Sequence, residues 1–136
     1  MSETPPIELP DLSGLKLLVV DDHCDALYIT SHLLESCRAT VIQASNGIAA
    51  LAYLERYQPD AVITDLSMPE MDGVQLVRRI RSRFSAEQLP AIVLTAFPLY
   101  EIADERRYLF QAFLRKPVAI EQLAKTIRDV IESRAV

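Results

Sequence analysis

Residues 61–65 form a short apolar segment that ends on an acid. This segment, Ala-Val-Ile-Thr-Asp65, continues directly into a turn that contains Pro69 and Gly73. A strand that is apolar along its whole length is expected where helices cover both faces of a parallel sheet. Asp65 then lies at the carboxyl end of a buried strand, where open α/β sheets place their binding sites. A carboxylate in that position needs a cation or hydrogen bonds to compensate its charge.

The same alternation of an apolar strand and a helical segment runs along most of the chain. The predicted strands cover residues 15–20, 39–44, 60–65, 91–95 and 112–115. The predicted helices cover residues 26–36, 48–57, 73–84, 98–108 and the segment from 120 onward. Five strands that alternate with five helices indicate a doubly wound α/β fold with a five-stranded parallel sheet.

Sequence periodicity and turn residues suggest how the helices begin and which faces they bury. Asp25 is the predicted N-cap of the first helix, and Ser45 or Asn46 that of the second. The predicted core-facing stripe of the first helix has helical spacing and consists of Ala26, Thr30, Leu33 and Cys37. In so acidic a chain, four arginines of the third helix are interpreted as its solvated surface rather than a nucleic-acid site: Arg78, Arg79, Arg81 and Arg83.

Length and charge limit the other possibilities. The 136 residues suit one domain, which we place at residues 15–136 behind a flexible leader of residues 1–14 that is rich in proline and acids. The formal net charge of −5 argues against general nucleic-acid binding. There is no apolar run of about 18 residues and no signal peptide, so a cytoplasmic location is expected. Cys24 and Cys37 have no metal-site spacing, and a redox role of Cys24 stays open.

Five polar residues end predicted strands or directly follow them. They are Asp21, Asp22, Asp65, Thr95 and Lys116. Because the carboxyl ends of parallel strands share one edge of the sheet, these side chains are expected to converge. Three carboxylates held together repel one another, and a hard divalent cation such as Mg²⁺ relieves that repulsion. With a lysine and a threonine hydroxyl beside them, the set is typical of phosphoryl transfer onto a carboxylate.

Four motifs, in this order, resemble the receiver domains of bacterial two-component response regulators, of which CheY is typical. The similarity covers about residues 15–133, and the motifs are Leu-Val-Val-Asp21-Asp22, Thr64 to Gly73, Leu94-Thr95-Ala96 and Phe113-Leu-Arg-Lys116-Pro117. The resemblance implies a flavodoxin-like (βα)5 fold with strand order 2-1-3-4-5. It also implies a phosphorelay switch that catalyses only its own aspartyl phosphorylation and dephosphorylation, and is not an enzyme acting on external substrates.

The resemblance assigns the central chemistry to three strand-end residues. Asp65 matches the phosphoacceptor, which takes its phosphoryl group from the phosphohistidine of a histidine kinase or phosphotransfer protein. Lys116 matches the lysine that pairs with this aspartate and then with the phosphoryl oxygens, and the Lys116–Pro117 bond is expected to be cis. Thr95 matches the switch hydroxyl, and Ala96 leaves it room to move.

The resemblance also implies the metal ligands and the moving aromatic ring. Asp22, Asp65 and the backbone carbonyl of Ser67 would bind Mg²⁺, with Mn²⁺ as an expected substitute, and Asp21 would act through a water. Phe113 matches the aromatic switch. The switched surface would be the one formed by the fourth helix, the fifth strand and the fifth helix, where a downstream output domain or protein binds.

Two features depart from the usual pattern of the family. The turn before the last strand, Tyr108-Leu-Phe-Gln-Ala112, has no glycine and is unusually apolar. It therefore marks either a dimer or partner surface, or residues such as Leu109 and Phe110 that fill the core. The second feature is bulky Phe97, which is expected to block the hydrolytic water and lengthen the phosphoryl lifetime.

Other functions fit the residues less well. A phosphatase of the haloacid dehalogenase type would need an acid two residues after the nucleophile, where this chain has Ser67. An FMN carrier would need a phosphate loop after the first strand, where Asp21 and Asp22 would repel the phosphate. A pseudo-receiver that binds partners constitutively stays open. His23 and His32 are interpreted as structural, because imidazole is a poor Mg²⁺ ligand.

Overall fold

The computed structural model describes residues 9–96 and 109–133. The strands are β1 (Lys16–Val20), β2 (Thr40–Ala44), β3 (Ala61–Asp65), β4 (Ala91–Thr95) and β5 (Ala112–Arg115). The helices are α1 (Cys24–Ser36), α2 (Gly47–Leu54), α3 (Gly73–Arg81) and α4 (Ile120–Ser133). The helix predicted at residues 98–108 lies outside the described residues, so α4 is the helix predicted as the fifth. None of these four helices is long and apolar enough to cross a membrane.

The five strands form one parallel sheet in the order β2-β1-β3-β4-β5. Each neighbouring pair is in parallel register, for example Val20 beside Thr64 and Asp65 beside Leu94. The doubly wound parallel sheet and its 2-1-3-4-5 order are thereby confirmed. All carboxyl ends lie at one edge, which positions the polar residues that follow the strands.

Hydrophobic clusters cover both faces of the sheet. On one face, Leu18, Val62 and Val93 belong to a cluster with buried side chains of α2 and α3. On the other face, Ile63 and Ile92 belong to a cluster with side chains of α1 and α4. Successive residues of the same strand are therefore buried on opposite sides. This is why the strands show continuous apolar runs instead of a polar–apolar alternation.

Three of the four residues predicted for the core-facing stripe of α1 are wrong by one position along the helix, whereas Cys37 is buried as predicted. The buried residues of the helix are Leu27, Ser31 and Leu34. Ala26, Thr30 and Leu33 of the predicted stripe instead line an open apolar groove of about 450 Å³ between α1 and the start of α4. A shift of one residue rotates a helical face by about 100°. Ala and Thr are neither strongly apolar nor strongly polar, so the hydrophobic pattern of α1 did not distinguish the correct face from its neighbour.

Helix starts are fixed by side-chain caps in two cases. The Asn46 side chain accepts a hydrogen bond from Ala49 N at 2.7 Å, which confirms one of the two caps predicted for α2. Asp72 caps α3 and forms a reciprocal capping box with Gln75. The cap predicted for α1 is wrong, because Asp25 lies within the first turn and His23 occupies the N-cap position without a side-chain capping bond.

The packed chain begins before residue 15. Leu12 is 1% exposed and belongs to the cluster beneath α1 and α4. Its backbone N–H donates to the Cys37 carbonyl at 2.7 Å, and Arg128 of α4 donates to the Asp11 carbonyl at 3.4 Å. The end of the segment predicted as a flexible leader is therefore part of the domain. Leu12 anchors this segment, but in the sequence it stands among prolines and acids that favoured a flexible leader.

Candidate phosphoryl-transfer site

Strand register brings the predicted site residues to one edge of the sheet. Asp65 ends β3 and Thr95 ends β4, which is its neighbour in the sheet. Asp21 follows β1 on the other side of β3, and Lys116 follows β5 beyond β4. The Lys116 backbone N–H donates to the Thr95 carbonyl at 2.7 Å, which continues the pairing of β4 and β5 up to the site. The expected convergence of these residues is therefore observed.

Four side chains form a compact group that could hold a metal ion. Ligand atoms of Asp21, Asp22, His23 and Asp65 all lie within 4.8 Å of one another. The Asp21 and Asp65 side chains are 7% and 10% exposed, whereas the His23 side chain is 75% exposed. Three carboxylates at this separation and burial repel one another strongly. The arrangement therefore requires positive charge close by.

Lys116 supplies part of that charge. Its Nζ lies 3.1 Å from Asp21 Oδ2 and 3.3 Å from Asp65 Oδ2, and the side chain is 27% exposed. Burial alone would lower the pKa of this ammonium, but the hydrogen bonds and negative charges of Asp21 and Asp65 outweigh burial and raise it. Lys116 therefore stays protonated and bridges two carboxylates on neighbouring strands. The peptide bond between Lys116 and Pro117 is cis.

Backbone donors hold the two most buried carboxylates in place. The His23 N–H donates to Asp21 Oδ1 at 2.9 Å, and the Ser67 N–H faces Asp65 Oδ1 at 3.3 Å. Asp65 is therefore contacted on one oxygen by a main-chain N–H and on the other by Lys116. This leaves the carboxylate in a defined orientation at the surface end of β3.

One oxygen of Asp22 has no such support. Asp22 Oδ1 is buried and accepts no hydrogen bond, and the nearest cationic candidate is His23 Nδ1 at 3.5 Å. A buried carboxylate oxygen without a donor is costly. Since Lys116 compensates only one of the three negative charges, two formal negative charges remain. This donor set and charge fit a divalent cation with oxygen ligands.

Thr95 and Phe113, the two residues predicted to act as a switch, lie on the neighbouring strands β4 and β5. Thr95 is fully buried at the end of β4. Phe113 lies on the neighbouring strand opposite Val93 and is partly buried, with its ring edge-on to Phe110 at a centroid distance of 5.6 Å. Phe97, expected to shield the site from water, lies outside the described residues.

The structure decides between the two interpretations of the segment before β5. Leu109 and Phe110 are 2% and 4% exposed and belong to the core cluster beneath α2 and α3. These two residues fill the core and offer no exposed apolar surface to a partner. Tyr108 of the same segment lies outside the described residues.

The prediction that Arg81 belongs to the solvated surface of α3 is wrong. Its guanidinium donates to the carbonyl of Leu89 at 2.7 Å, to the carbonyl of Leu109 at 3.1 Å and to Gln111 Oε1 at 2.6 Å. Burial lowers the pKa of Arg81. It therefore ties the end of α3 to the segments entering β4 and β5. The available signal was its place at the last turn of α3, where a guanidinium can reach loop carbonyls.

The two cysteines lie in different environments. Cys24 is exposed at the start of α1, and Cys37 is buried at its end. Burial, followed by the negative charges of Glu121 and Asp11, raises the pKa of the Cys37 thiol. Cys37 is therefore an apolar core residue and not a reactive thiolate.

Sequence and structure comparisons agree with this architecture. The family model for the response regulator receiver domain matches residues 17–128. A protein of Leptolyngbya boryana, described as an uncharacterized 14.6 kDa protein in the sodA1 3' region, is 38% identical over 121 residues, covering 87% of this chain and 91% of its own. The sensor histidine kinase GacS of Pseudomonas protegens is 36% identical over 133 residues, which cover 93% of this chain but only 14% of the kinase.

Solved structures show the same fold. The receiver domain of a response regulator from Clostridium thermocellum superposes with a TM-score of 0.78 at 28% identity, covering 89% of this chain and 97% of that domain. The order of the strands, the strand-end residues and the matched region all point to one family. The chain belongs to the response regulator receiver domains of two-component signalling systems.

Proposed function

We propose that this chain is a phosphoaccepting receiver in which Asp65 takes a phosphoryl group from the phosphohistidine of a histidine kinase or phosphotransfer protein. The observation that carries the proposal is the contact of Asp65 with the Lys116 ammonium, in one compact group with the carboxylates of Asp21 and Asp22. A nucleophile, a fixed cation and a cation-binding acid pair at one strand edge are the parts that phosphoryl transfer needs.

The donor set supports a resident Mg²⁺. Asp22, Asp65 and the main-chain carbonyl of Ser67 would hold it, with Asp21 acting through a water. The buried, unpaired Asp22 Oδ1 and the two uncompensated negative charges are the features that favour this ion. Mn²⁺ takes similar ligands and is proposed as a substitute. When bound, the ion supplies positive charge that neutralises phosphoryl oxygens.

The protein's own residues then perform the transfer. One oxygen of Asp65 attacks phosphorus while the phosphorus–nitrogen bond of the phosphohistidine breaks, and the electron pair of that bond stays on the imidazole. The Ser67 N–H orients the attacking carboxylate, and Lys116 moves from Asp65 to the incoming phosphoryl oxygens. The protein contributes little covalent chemistry to this step. Orientation of the reactants and electrostatic stabilisation of the transition state therefore account for most of the rate.

The effect of the charge added at Asp65 would be transmitted to a binding surface by movements of Thr95 and Phe113. The Thr95 hydroxyl would turn toward the phosphoryl group, and the Phe113 ring would move into the space that it leaves. This shifts a two-state equilibrium in the surface that includes β5 and α4, where an output domain, a downstream protein or a second copy of the chain binds. A cytoplasmic location agrees with a histidine kinase as donor.

The test is intact mass spectrometry after incubation with Mg²⁺ and acetyl phosphate. We expect a phosphoryl adduct on the parent that disappears when a chelator is added and is absent from Asp65→Asn. The matched control is Asp60→Asn, at the opposite end of the same strand, where Asp60 Oδ2 accepts a hydrogen bond from Lys16 N. An adduct of unchanged yield in Asp65→Asn would contradict the assignment. A folded parent that binds Mg²⁺ but forms no adduct, even with a phosphorylated kinase, would indicate a pseudo-receiver.

A further inference from the structure

An imidazole borders the acid group, in a place that the phosphoryl chemistry does not use. His23 Nδ1 lies 3.5 Å from Asp22 Oδ1 and 3.8 Å from Asp21 Oδ1. The side chain does not cap α1, although His23 occupies the N-cap position. Its described polar neighbours are the two carboxylates, and most of the ring is open to solvent. Helix capping therefore does not explain why an imidazole stands here.

The distances allow His23 to share a metal ion with either acid. Two ligand atoms bound to one ion at about 2.1 Å each can be separated by at most about 4.2 Å. Both imidazole–carboxylate distances are below this limit. The nearer oxygen, Asp22 Oδ1, is the buried one that accepts no hydrogen bond. An ion placed between Asp22 and His23 would satisfy that oxygen without any rearrangement of the backbone.

The identity of the ion follows from the type of ligand. Mg²⁺ prefers oxygen and gains little from an imidazole, whereas Zn²⁺, Co²⁺ and Ni²⁺ bind imidazole well. We infer that His23, with Asp22 and Asp21, makes this acid pocket a mixed nitrogen–oxygen site that binds such transition ions in competition with Mg²⁺. This inference rests on the proposed function in one respect, namely that Mg²⁺ uses the same carboxylates.

Occupation by a transition ion would regulate phosphoryl acceptance. The ion would share Asp22 with Mg²⁺ but be drawn toward His23, the most exposed member of the group. Since Mg²⁺ is then excluded, transfer to Asp65 should fall as the concentration of the transition ion rises. The residue that sets this sensitivity is His23 and not any member of the phosphoryl-transfer set.

The test measures metal binding directly, on the full chain at one fixed pH. Co²⁺ is titrated into the parent and into His23→Gln, with calorimetry for affinity and proton NMR for the paramagnetic shift of the His23 ring signals. His32→Gln is the matched control, because His32 lies on the exposed side of α1, away from the acids. Its ring stacks on that of Tyr28, with the two ring centroids 5.7 Å apart. Mg²⁺ is titrated into the same three proteins.

We expect His23→Gln to weaken Co²⁺ binding at least about tenfold, because even the outer-shell partners of metal ligands are worth 10- to 100-fold. Mg²⁺ affinity should stay within about twofold of the parent, and His32→Gln should behave as the parent does. Excess Mg²⁺ should displace Co²⁺ from the parent. Unchanged Co²⁺ affinity in His23→Gln, or no shift of the His23 signals, would overturn the inference.

The two proposals fail in different ways. If Mg²⁺ binds all three proteins and Co²⁺ binds independently of His23, only the present inference is wrong. If Co²⁺ binds through His23 but Mg²⁺ neither binds nor displaces it, the shared site is wrong, and the Mg²⁺ site of the proposed function fails with it. Loss of Co²⁺ binding in Cys24→Ser but not in His23→Gln would also overturn the assignment to the imidazole.

Discussion

Gly73 packs its α-carbon against the main-chain carbonyl of Asp65, so that a β-carbon at residue 73 would collide with that oxygen. The Gly73 N–H also donates to the Leu66 carbonyl at 2.8 Å. The turn that follows β3 therefore folds back onto the main chain of Asp65, the proposed phosphoacceptor. Glycine is required here for close approach and not for an unusual backbone conformation.

Gly73→Ala should destabilise the protein by about 1–3 kcal/mol, the usual cost of overpacking. The colliding atoms are main chain, so β3 or α3 must shift and move the Asp65 carboxylate. If the proposed function holds, phosphoryl acceptance should fall by more than about tenfold, since small misplacements are costly in transfer reactions. Urea unfolding and the rate of adduct formation measure the two effects.

Gly47→Ala is the matched control, because Gly47 is likewise the first residue of a helix. The atoms nearest to a β-carbon there would belong to the flexible side chain of Met71, with its sulfur the nearest. We expect a smaller loss of stability and normal phosphoryl acceptance. Equal losses in the two variants would show that the main chain around Asp65 yields as easily as a methionine side chain.

The sequence was sufficient where a residue's role depends on its place at a strand end. Asp65 and Thr95 end apolar runs, and parallel strands bring such ends together whatever the details of packing. It was insufficient where a role depends on a partner far along the chain. Arg81 reaches carbonyls up to 28 residues away, and Leu12 is buried by helices more than ten residues further on. Neither contact leaves a periodic signal.

Ser31 lies fully buried on the core face of α1, and its hydroxyl has no hydrogen-bond partner. Burial of an unsatisfied hydroxyl costs about 1–3 kcal/mol. Ser31→Ala should therefore raise the free energy of unfolding by about 1 kcal/mol, measured by urea denaturation. Ser36→Ala at the exposed end of the same helix should change it by less than about 0.5 kcal/mol. Destabilisation by Ser31→Ala would reveal a partner for the hydroxyl, such as a buried water.

Arg81 should be essential for stability although it lies on a helix rich in exposed arginines. Removing its guanidinium deprives the carbonyls of Leu89 and Leu109 of a donor, at about 1–3 kcal/mol for each group left unsatisfied. We expect Arg81→Met to lower the free energy of unfolding by about 2–4 kcal/mol. Arg81→Lys should recover only part of the lost stability, because an ammonium cannot reproduce the planar, forked set of N–H donors of a guanidinium.

The control for Arg81 is Arg79→Met on the same turn of α3. Arg79 is exposed and its truncation should change stability by no more than about 0.5 kcal/mol. If Arg81→Met and Arg79→Met had equal effects in urea denaturation, the contacts of Arg81 with the segments before β4 and β5 would contribute nothing measurable.

Lys116 gives the metal-free protein a specific dependence on alkaline pH. Its pKa in the folded chain is raised above 10.5, since Asp21 and Asp65 favour the charged form more strongly than burial opposes it. Above pH 10.5 the unfolded chain releases this proton while the folded chain keeps it. The folded state then binds more protons, so the free energy of unfolding must fall as pH rises. The stabilisation is complete below pH 10.5 and is lost as pH rises through the folded pKa.

The measurement compares urea unfolding of the parent and Lys116→Met in the presence of a chelator. Between about pH 7 and pH 10.5, where Asp21 and Asp65 are ionised, the parent should be more stable by a constant amount. The difference should shrink above this range, because only the parent has this proton to lose. Lys125→Met is the control, since Lys125 is exposed and forms an ion pair with Asp129 one turn away; its difference from the parent should stay small. A parent–variant difference that did not change across the alkaline range would mean that Asp21 and Asp65 do not hold the charged form of Lys116. In that case the ammonium would be free to leave both carboxylates before any phosphoryl group arrives.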